Sequence, residues 1–156
     1  MNNVIKGLIS IMLPLVVGGL SGFFTTSSIS GWYTTINKPS FNPPNWIFGP
    51  VWTLLYMMMG IALFIIWKSE ADAVLKKQAL IFFFIQLAIN FCWSLLFFYC
   101  ESPGWALIDI VLMWVFILLT IFSFGKISSL SAWLLVPYIS WVSFAAVLNF
   151  AIWRMN

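Results

Sequence analysis

Five runs of about twenty apolar residues, divided by short polar breaks, leave this chain one way to fold: as helices that cross a bilayer. The runs extend over about 4–24, 46–67, 78–100, 103–124 and 130–153. Hydrocarbon offers no hydrogen-bond partners, so each run must satisfy its backbone internally, which a helix does. Only 7% of the 156 residues are charged and 63% are apolar, with a mean hydropathy of +1.04. A soluble domain carries about 25% charge, so this chain lacks the polar side chains to cover a water-facing surface. The expected architecture is an all-α integral membrane protein, a five-transmembrane-helix bundle forming a single domain over 1–156.

The first run has an early Lys6 and an apolar core, as a signal peptide does. It is long, however, and no small-x-small cleavage site follows, so a retained span is expected. The break after it, 25–45, is rich in Ser, Thr, Gly and Pro and holds Trp32, Tyr33 and Phe41. A loop of that length in a compact fold is either a functional lid or an interfacial segment with aromatics at headgroup level. Pro44-Asn45 and Ser102-Pro103 mark helix starts, with Ser102 as expected N-cap and Pro103 at the first helical position. Pro14 and Pro137 lie inside spans, where a missing N–H loosens the helix. Lys6, Lys68, Lys76, Lys77 and Lys126 fall on one side, and Lys38 and Arg154 on the other. That bias of five to two places the N-terminus in the cytoplasm and the long loop outside.

Several function classes are excluded. A net charge of +3, scattered along the chain, forms no basic patch for nucleic acid. There is no histidine, which removes the commonest haem ligand and general base. Cys92 and Cys100 stand eight residues apart in one run. That is about 12 Å of helical rise, too far to pair, and the spacing is not that of a metal site. No metal and no resident cofactor is expected. No internal repeat is evident, against an inverted-repeat transporter.

Helical periodicity singles out three faces. Phe48, Trp52, Tyr56, Met59 and Leu63 recur at three- and four-residue spacing in the second run. Gln86, Asn90, Trp93 and Phe97 do so in the third, and Tyr138, Trp141, Ala145, Leu148 and Asn149 in the fifth. An amide facing lipid would lack partners at a cost in free energy, so these faces turn inward. Together they make either a pocket with indole and phenol walls, suited to a flat apolar ligand, or a packed core whose amides bridge helices. Asp109 is the one acid deep in an apolar run. At about 9 Å from the start of its helix it reaches interfacial water or gains from the helix dipole. Gly18-x-x-x-Gly22 permits a close helix approach, within the bundle or between copies.

The motifs Trp32-Tyr33, Lys38-Pro39, Asn42-Pro43-Pro44, Trp52-Thr53-Leu54-Leu55-Tyr56, Gln86 to Trp93, Gly104 to Asp109, Pro137 to Trp141 and Leu148-Asn149-Phe150 stand in the order and spacing of one family. With its ten tryptophans, the chain resembles the translocator protein family (TspO/MBR), also called tryptophan-rich sensory proteins or peripheral-type benzodiazepine receptors. The resemblance implies a homodimer of five-helix bundles in a membrane, read here as a bacterial cell membrane, with a pocket opening beneath the first loop, between helices one, two, three and five. It implies tetrapyrrole ligands such as protoporphyrin IX, or sterol-like and benzodiazepine-site ligands. By position it carries pocket roles to Trp52, Tyr56, Asn90, Trp93, Trp141, Ala145, Leu148 and Asn149; periodicity adds Gln86 and Tyr138. One departure stands out. Phe150 occupies the tyrosine place of the family's sterol motif before Arg154, which favours a porphyrin over a sterol.

Three functions follow from this reading: a tetrapyrrole-binding sensor or carrier, a light- and oxygen-dependent porphyrin-degrading activity with Trp52 and Trp141 as the reactive groups, or a structural membrane protein without ligand. The sequence offers no acid–base pair for conventional catalysis. The first reading is preferred.

Overall fold

The computed structural model describes residues 2–156. Among them no strand is present, and five helices are long and apolar enough to cross a membrane. The helices are α1 (Asn3–Ile29), α2 (Trp32–Thr35), α3 (Asn45–Lys68), α4 (Ala73–Ser94), α5 (Pro103–Gly125), α6 (Ser129–Leu134) and α7 (Val136–Met155). A π-helical turn, Leu95–Tyr99, prolongs α4.

Three boundaries differ from the sequence reading, each for a local reason. The first helix continues to Ile29 instead of ending near Phe24. The Thr25 and Thr26 hydroxyls donate to the carbonyls of Ser21 and Gly22 at 2.9 and 2.8 Å, so side chains that favour loops are absorbed into the helix. The first loop is thereby shortened to residues 30–44, and α2 lies within it. The third span starts at Ala73, not Gln78, because Asp72 Oδ1 accepts from Val74 N and Leu75 N at 3.0 and 3.2 Å. Lys76 and Lys77 are carried on its first turns, where long stems let the ammonium groups reach water. The fifth span is two helices. Pro137 has no N–H to give and crowds the preceding turn, and the chain breaks at Leu135 between α6 and α7. Pro14, by contrast, is accommodated within an unbroken α1.

Other helix ends follow their chemistry. Asn2 caps α1 through Val4 N at 3.2 Å. Ser102 occupies the N-cap position of α5, but its hydroxyl makes no cap bond; Pro103 alone marks the start. Between the π-helical turn and α5, Glu101 takes a left-handed conformation, φ 51°, which turns the chain back toward the membrane.

Close helix contacts are made by glycine. A Cβ on Gly60 would lie 2.6 Å from Ile11 Cα, backbone against backbone, so α1 and α3 touch there. Gly18 faces Tyr56 just as closely: its Cβ would meet the ring at 2.4 Å. This half of the Gly18-x-x-x-Gly22 pattern is a contact within the bundle. Phe83 of α4 stacks on Phe124 of α5 at 5.8 Å, and Trp114 Nε1 of α5 donates to Ser143 Oγ of α7 at 2.8 Å. Outward, Leu8, Leu20, Phe23, Ile108, Trp105, Phe122 and Trp133 are exposed. A surface of that kind belongs in lipid, and the protein is a multi-pass membrane protein.

Candidate functional site

The inward faces meet beneath the first loop as a chamber walled by aromatic rings. Phe48 and Trp52 come from α3, Trp93 from α4, and Phe97 and Phe98 from the π-helical turn. Trp141, Ala145, Leu148, Asn149 and Ile152 come from α7. The π-helical turn sets this geometry, because one extra residue in the turn re-aims Phe97 and Phe98. Trp93 stacks on Phe97 at 5.4 Å, and Trp52 stacks on Tyr56 at 5.6 Å with Trp93 6.4 Å away. Phe48 meets Trp141 edge-on at 6.2 Å. The chamber is closed on its own side chains, with about 20 Å³ of free space.

Two polar features are set into this wall. Asn149 accepts from Trp93 Nε1 at 3.0 Å and donates to the Pro103 carbonyl at 2.8 Å, fixing α7 to α4 and α5. Trp141 Nε1 is buried with no hydrogen-bond partner. A buried indole N–H normally finds an acceptor, and none lies within reach of this one.

The loop roofs the chamber. Tyr33 is buried against Phe97 and Phe98 and donates to Asn42 Oδ1 at 2.7 Å. Burial raises the Tyr33 hydroxyl pKa to about 12. Lys38 Nζ donates to the Tyr33 and Ile36 carbonyls at 2.6 and 3.0 Å and sits 4.9 Å over the Tyr33 ring. Asn37 and Asn156 exchange bonds of 2.9 and 3.0 Å, tying the loop to the end of α7. The loop thus covers the chamber and is held there by these bonds.

Below the chamber lies a separate polar layer. Tyr56 Oη donates to Asn90 Oδ1, Asn90 Nδ2 donates to Tyr138 Oη at 3.0 Å, and Tyr138 Oη donates to Gln86 Oε1 at 2.8 Å. The Met59 sulfur accepts from Gln86 Nε2 at 3.9 Å, and the Met113 sulfur accepts the second N–H of Asn90 at 3.5 Å. Gln86, Asn90 and Tyr138 are buried in this network and line neither the chamber nor the α1–α3 cleft. Thus the structure brings Trp52, Trp93, Trp141, Ala145, Leu148 and Asn149 together on the chamber wall and sets Gln86, Asn90 and Tyr138 beneath it. Tyr56 belongs both to the network and to a wider cleft between α1 and α3. Asp109 joins neither space; it is half-buried, with Oδ2 unpartnered. Tyr33, Phe98 and Ile152 are chamber residues that periodicity did not select. Tyr33 lies in a loop, Phe98 follows a change of helical period, and Ile152 is one aliphatic among many.

A five-helix membrane bundle with a tryptophan-walled chamber under a pinned loop defines the class. The comparisons narrow it. The TspO/MBR family model matches residues 10–154. The Tryptophan-rich protein TspO of Archaeoglobus fulgidus is 43% identical over 156 residues, 99% of each chain. That of Chlorobaculum tepidum is 47% identical over 148 residues, covering 92% of this chain and 91% of its own. The Translocator protein of Sus scrofa is 37% identical over 148 residues, covering 90% and 86%. The chain belongs to the TspO/MBR family.

Proposed function

We propose that this protein is a membrane-embedded binding protein for a tetrapyrrole of the protoporphyrin IX kind, acting as a sensor or carrier. The observation that carries the reading is the convergence of Trp52, Trp93 and Trp141 on one chamber, with Trp141 Nε1 buried and unpartnered. Flat, polarizable indole faces suit a planar macrocycle, and the free N–H suits an acceptor on the ligand. The relatives' names, translocator protein and tryptophan-rich protein TspO, fit a small molecule moved or sensed. Ligand pockets usually hold about 300–1,000 Å³, so the ligand displaces a ring, foremost Trp52, as it enters. The reading includes a homodimer, and the N-terminus on the cytoplasmic side from the five-to-two lysine and arginine bias.

Tryptophan-fluorescence quenching by protoporphyrin IX in the dark tests the site. Saturable quenching that weakens at least about ten-fold in Trp52→Phe/Trp141→Phe supports it. Linear quenching in both proteins means partitioning into detergent or lipid and refutes it.

A further inference from the structure

On the loop side of the bundle, a depression of about 650 Å³ opens near the level of the lipid headgroups. It shares no lining residue with the chamber. Three tryptophans from three elements border it: Trp32 of α2, Trp105 near the start of α5 and Trp153 near the end of α7. Glu101 and Asn156 lie among these rings. The walls are braced. Trp32 meets Phe97 edge-on at 5.8 Å, and Asn156 is tied to Asn37 by bonds of 2.9 and 3.0 Å. The Trp153 indole lies over Gly104: a Cβ there would come to 3.0 Å from Trp153 Nε1, so the glycine leaves the ring its seat. Trp105 and Ile108, three residues apart and 67% and 61% exposed, continue the face toward the hydrocarbon.

Tryptophan is common at headgroup level, but an aromatic belt needs neither a shared depression nor an acid among its rings. Glu101 is the one acid on this side of the membrane outside the spans; Glu70 and Asp72 lie between α3 and α4, on the other side. Its side chain is exposed. The Lys38 ammonium is taken up by the Tyr33 and Ile36 carbonyls, and Arg154 does not line the depression. The Glu101 backbone is left-handed, φ 51°, a place at helix ends that glycine fills without strain. An acid is held there nonetheless. Ring faces and a carboxylate are both negative, so together they attract a cation and repel a carboxylate or phosphate. A quaternary ammonium group, weakly hydrated and without N–H, matches such walls.

We propose that this depression binds a quaternary ammonium head carried on an apolar stem. Glu101 is the counter-ion, the Trp105 and Trp153 rings are walls, and the stem lies along Trp105 and Ile108. The site is independent of the chamber and of the ligand proposed for it.

The full chain, labelled with fluorotryptophan, is titrated in maltoside micelles, which carry no ammonium group. The probes are choline, hexyltrimethylammonium and dimethylbutanol, the uncharged carbon isostere of choline. Fluorine NMR reads the Trp105 and Trp153 signals, assigned through Trp105→Phe and Trp153→Phe. Both cations should shift these signals saturably, hexyltrimethylammonium binding at least about ten-fold tighter for its stem. Dimethylbutanol should shift neither. Glu101→Gln and Trp105→Leu should each raise Kd about two- to five-fold. Glu101→Gly relieves the left-handed strain, so its unfolding temperature should not fall while its Kd rises as in Glu101→Gln. In phosphatidylcholine nanodiscs, loss of the response to added hexyltrimethylammonium assigns the site to a lipid head; an unchanged response assigns it to a free cationic amphiphile. The ammonium site stands in both cases. Equal shifts from dimethylbutanol, equal affinity for the two cations, or an unchanged Kd in Glu101→Gln would overturn it. So would a less stable Glu101→Gly with unchanged Kd, since the carboxylate would then serve the start of α5. None of these outcomes bears on the chamber, which porphyrin quenching reads separately.

Discussion

Replacing Asn90 by leucine separates a support residue from a ligand contact. The side chain is 1% exposed and holds three helices: it accepts from Tyr56 Oη on α3 and donates to Tyr138 Oη on α7. Leucine keeps the bulk and removes the amide. Tyr138 still has Gln86 Oε1 to donate to at 2.8 Å, so its hydroxyl proton stays paired. Tyr56 loses its Asn90 acceptor and is left with the poorer contact to Ser21 Oγ. An orphaned buried hydroxyl costs about 1–3 kcal/mol, and the lost Asn90–Tyr138 bond adds about 0.6 kcal/mol, typical between membrane helices. The expected loss is about 2–3 kcal/mol. Adding Tyr56→Phe removes the orphan itself, so the double variant should regain about 1–2 kcal/mol over Asn90→Leu alone. Reversible unfolding in mixed detergent micelles reads both numbers. Porphyrin affinity of folded Asn90→Leu should stay within about two-fold of wild type, because this side chain lines neither the chamber nor the α1–α3 cleft. Strictly additive losses, or a large fall in affinity with stability unchanged, would refute the network and return Asn90 to the ligand's shell.

Two other outcomes follow from the geometry. Gly60→Ala drives a methyl against the α1 backbone and should cost about 1–3 kcal/mol in thermal unfolding, while Gly22→Ala should stay within about 0.5 kcal/mol of wild type. The Tyr33 hydroxyl, held neutral by burial, should titrate near pH 12 and not near its ordinary 10.0, so its contribution to lid stability persists below pH 10.0 and is lost as pH rises through about 12. Tyrosinate absorbance read beside a fluorophore on the loop measures this, and Tyr33→Phe should remove the late-titrating signal.

Span number and inward faces were legible because lipid punishes any other arrangement: the expected 46–67 and 103–124 lie within α3 and α5. What periodicity does not carry is depth or partner. Asn90 and Asn149 are both inward amides, yet one is enclosed by two phenols and the other ties Trp93 to the Pro103 carbonyl at the chamber. The opposing helix decides which, and its register is not written in the strand of sequence that holds the asparagine. Serine and threonine misled in another way. Read as loop formers, Thr25 and Thr26 instead satisfy carbonyls of their own helix and extend it by a turn.

The Gly18-x-x-x-Gly22 pattern shows most clearly why a motif underdetermines its use. A glycine removes a side chain, and its consequence depends on whether the partner helix fills the space. At Gly18 the Tyr56 ring fills it, and the gain is packing. One turn later α3 has reached Trp52 and Gly49, nothing approaches a Cβ on Gly22, and the same chemistry leaves an opening. The close contact at Gly60 and Gly18 and the open mouth at Gly22 are two ends of one geometry, helices that touch in one half of the bundle and part in the other. That divergence means that the two glycines should respond differently to a methyl group: Gly18→Ala should lower stability, and Gly22→Ala should leave it near wild type.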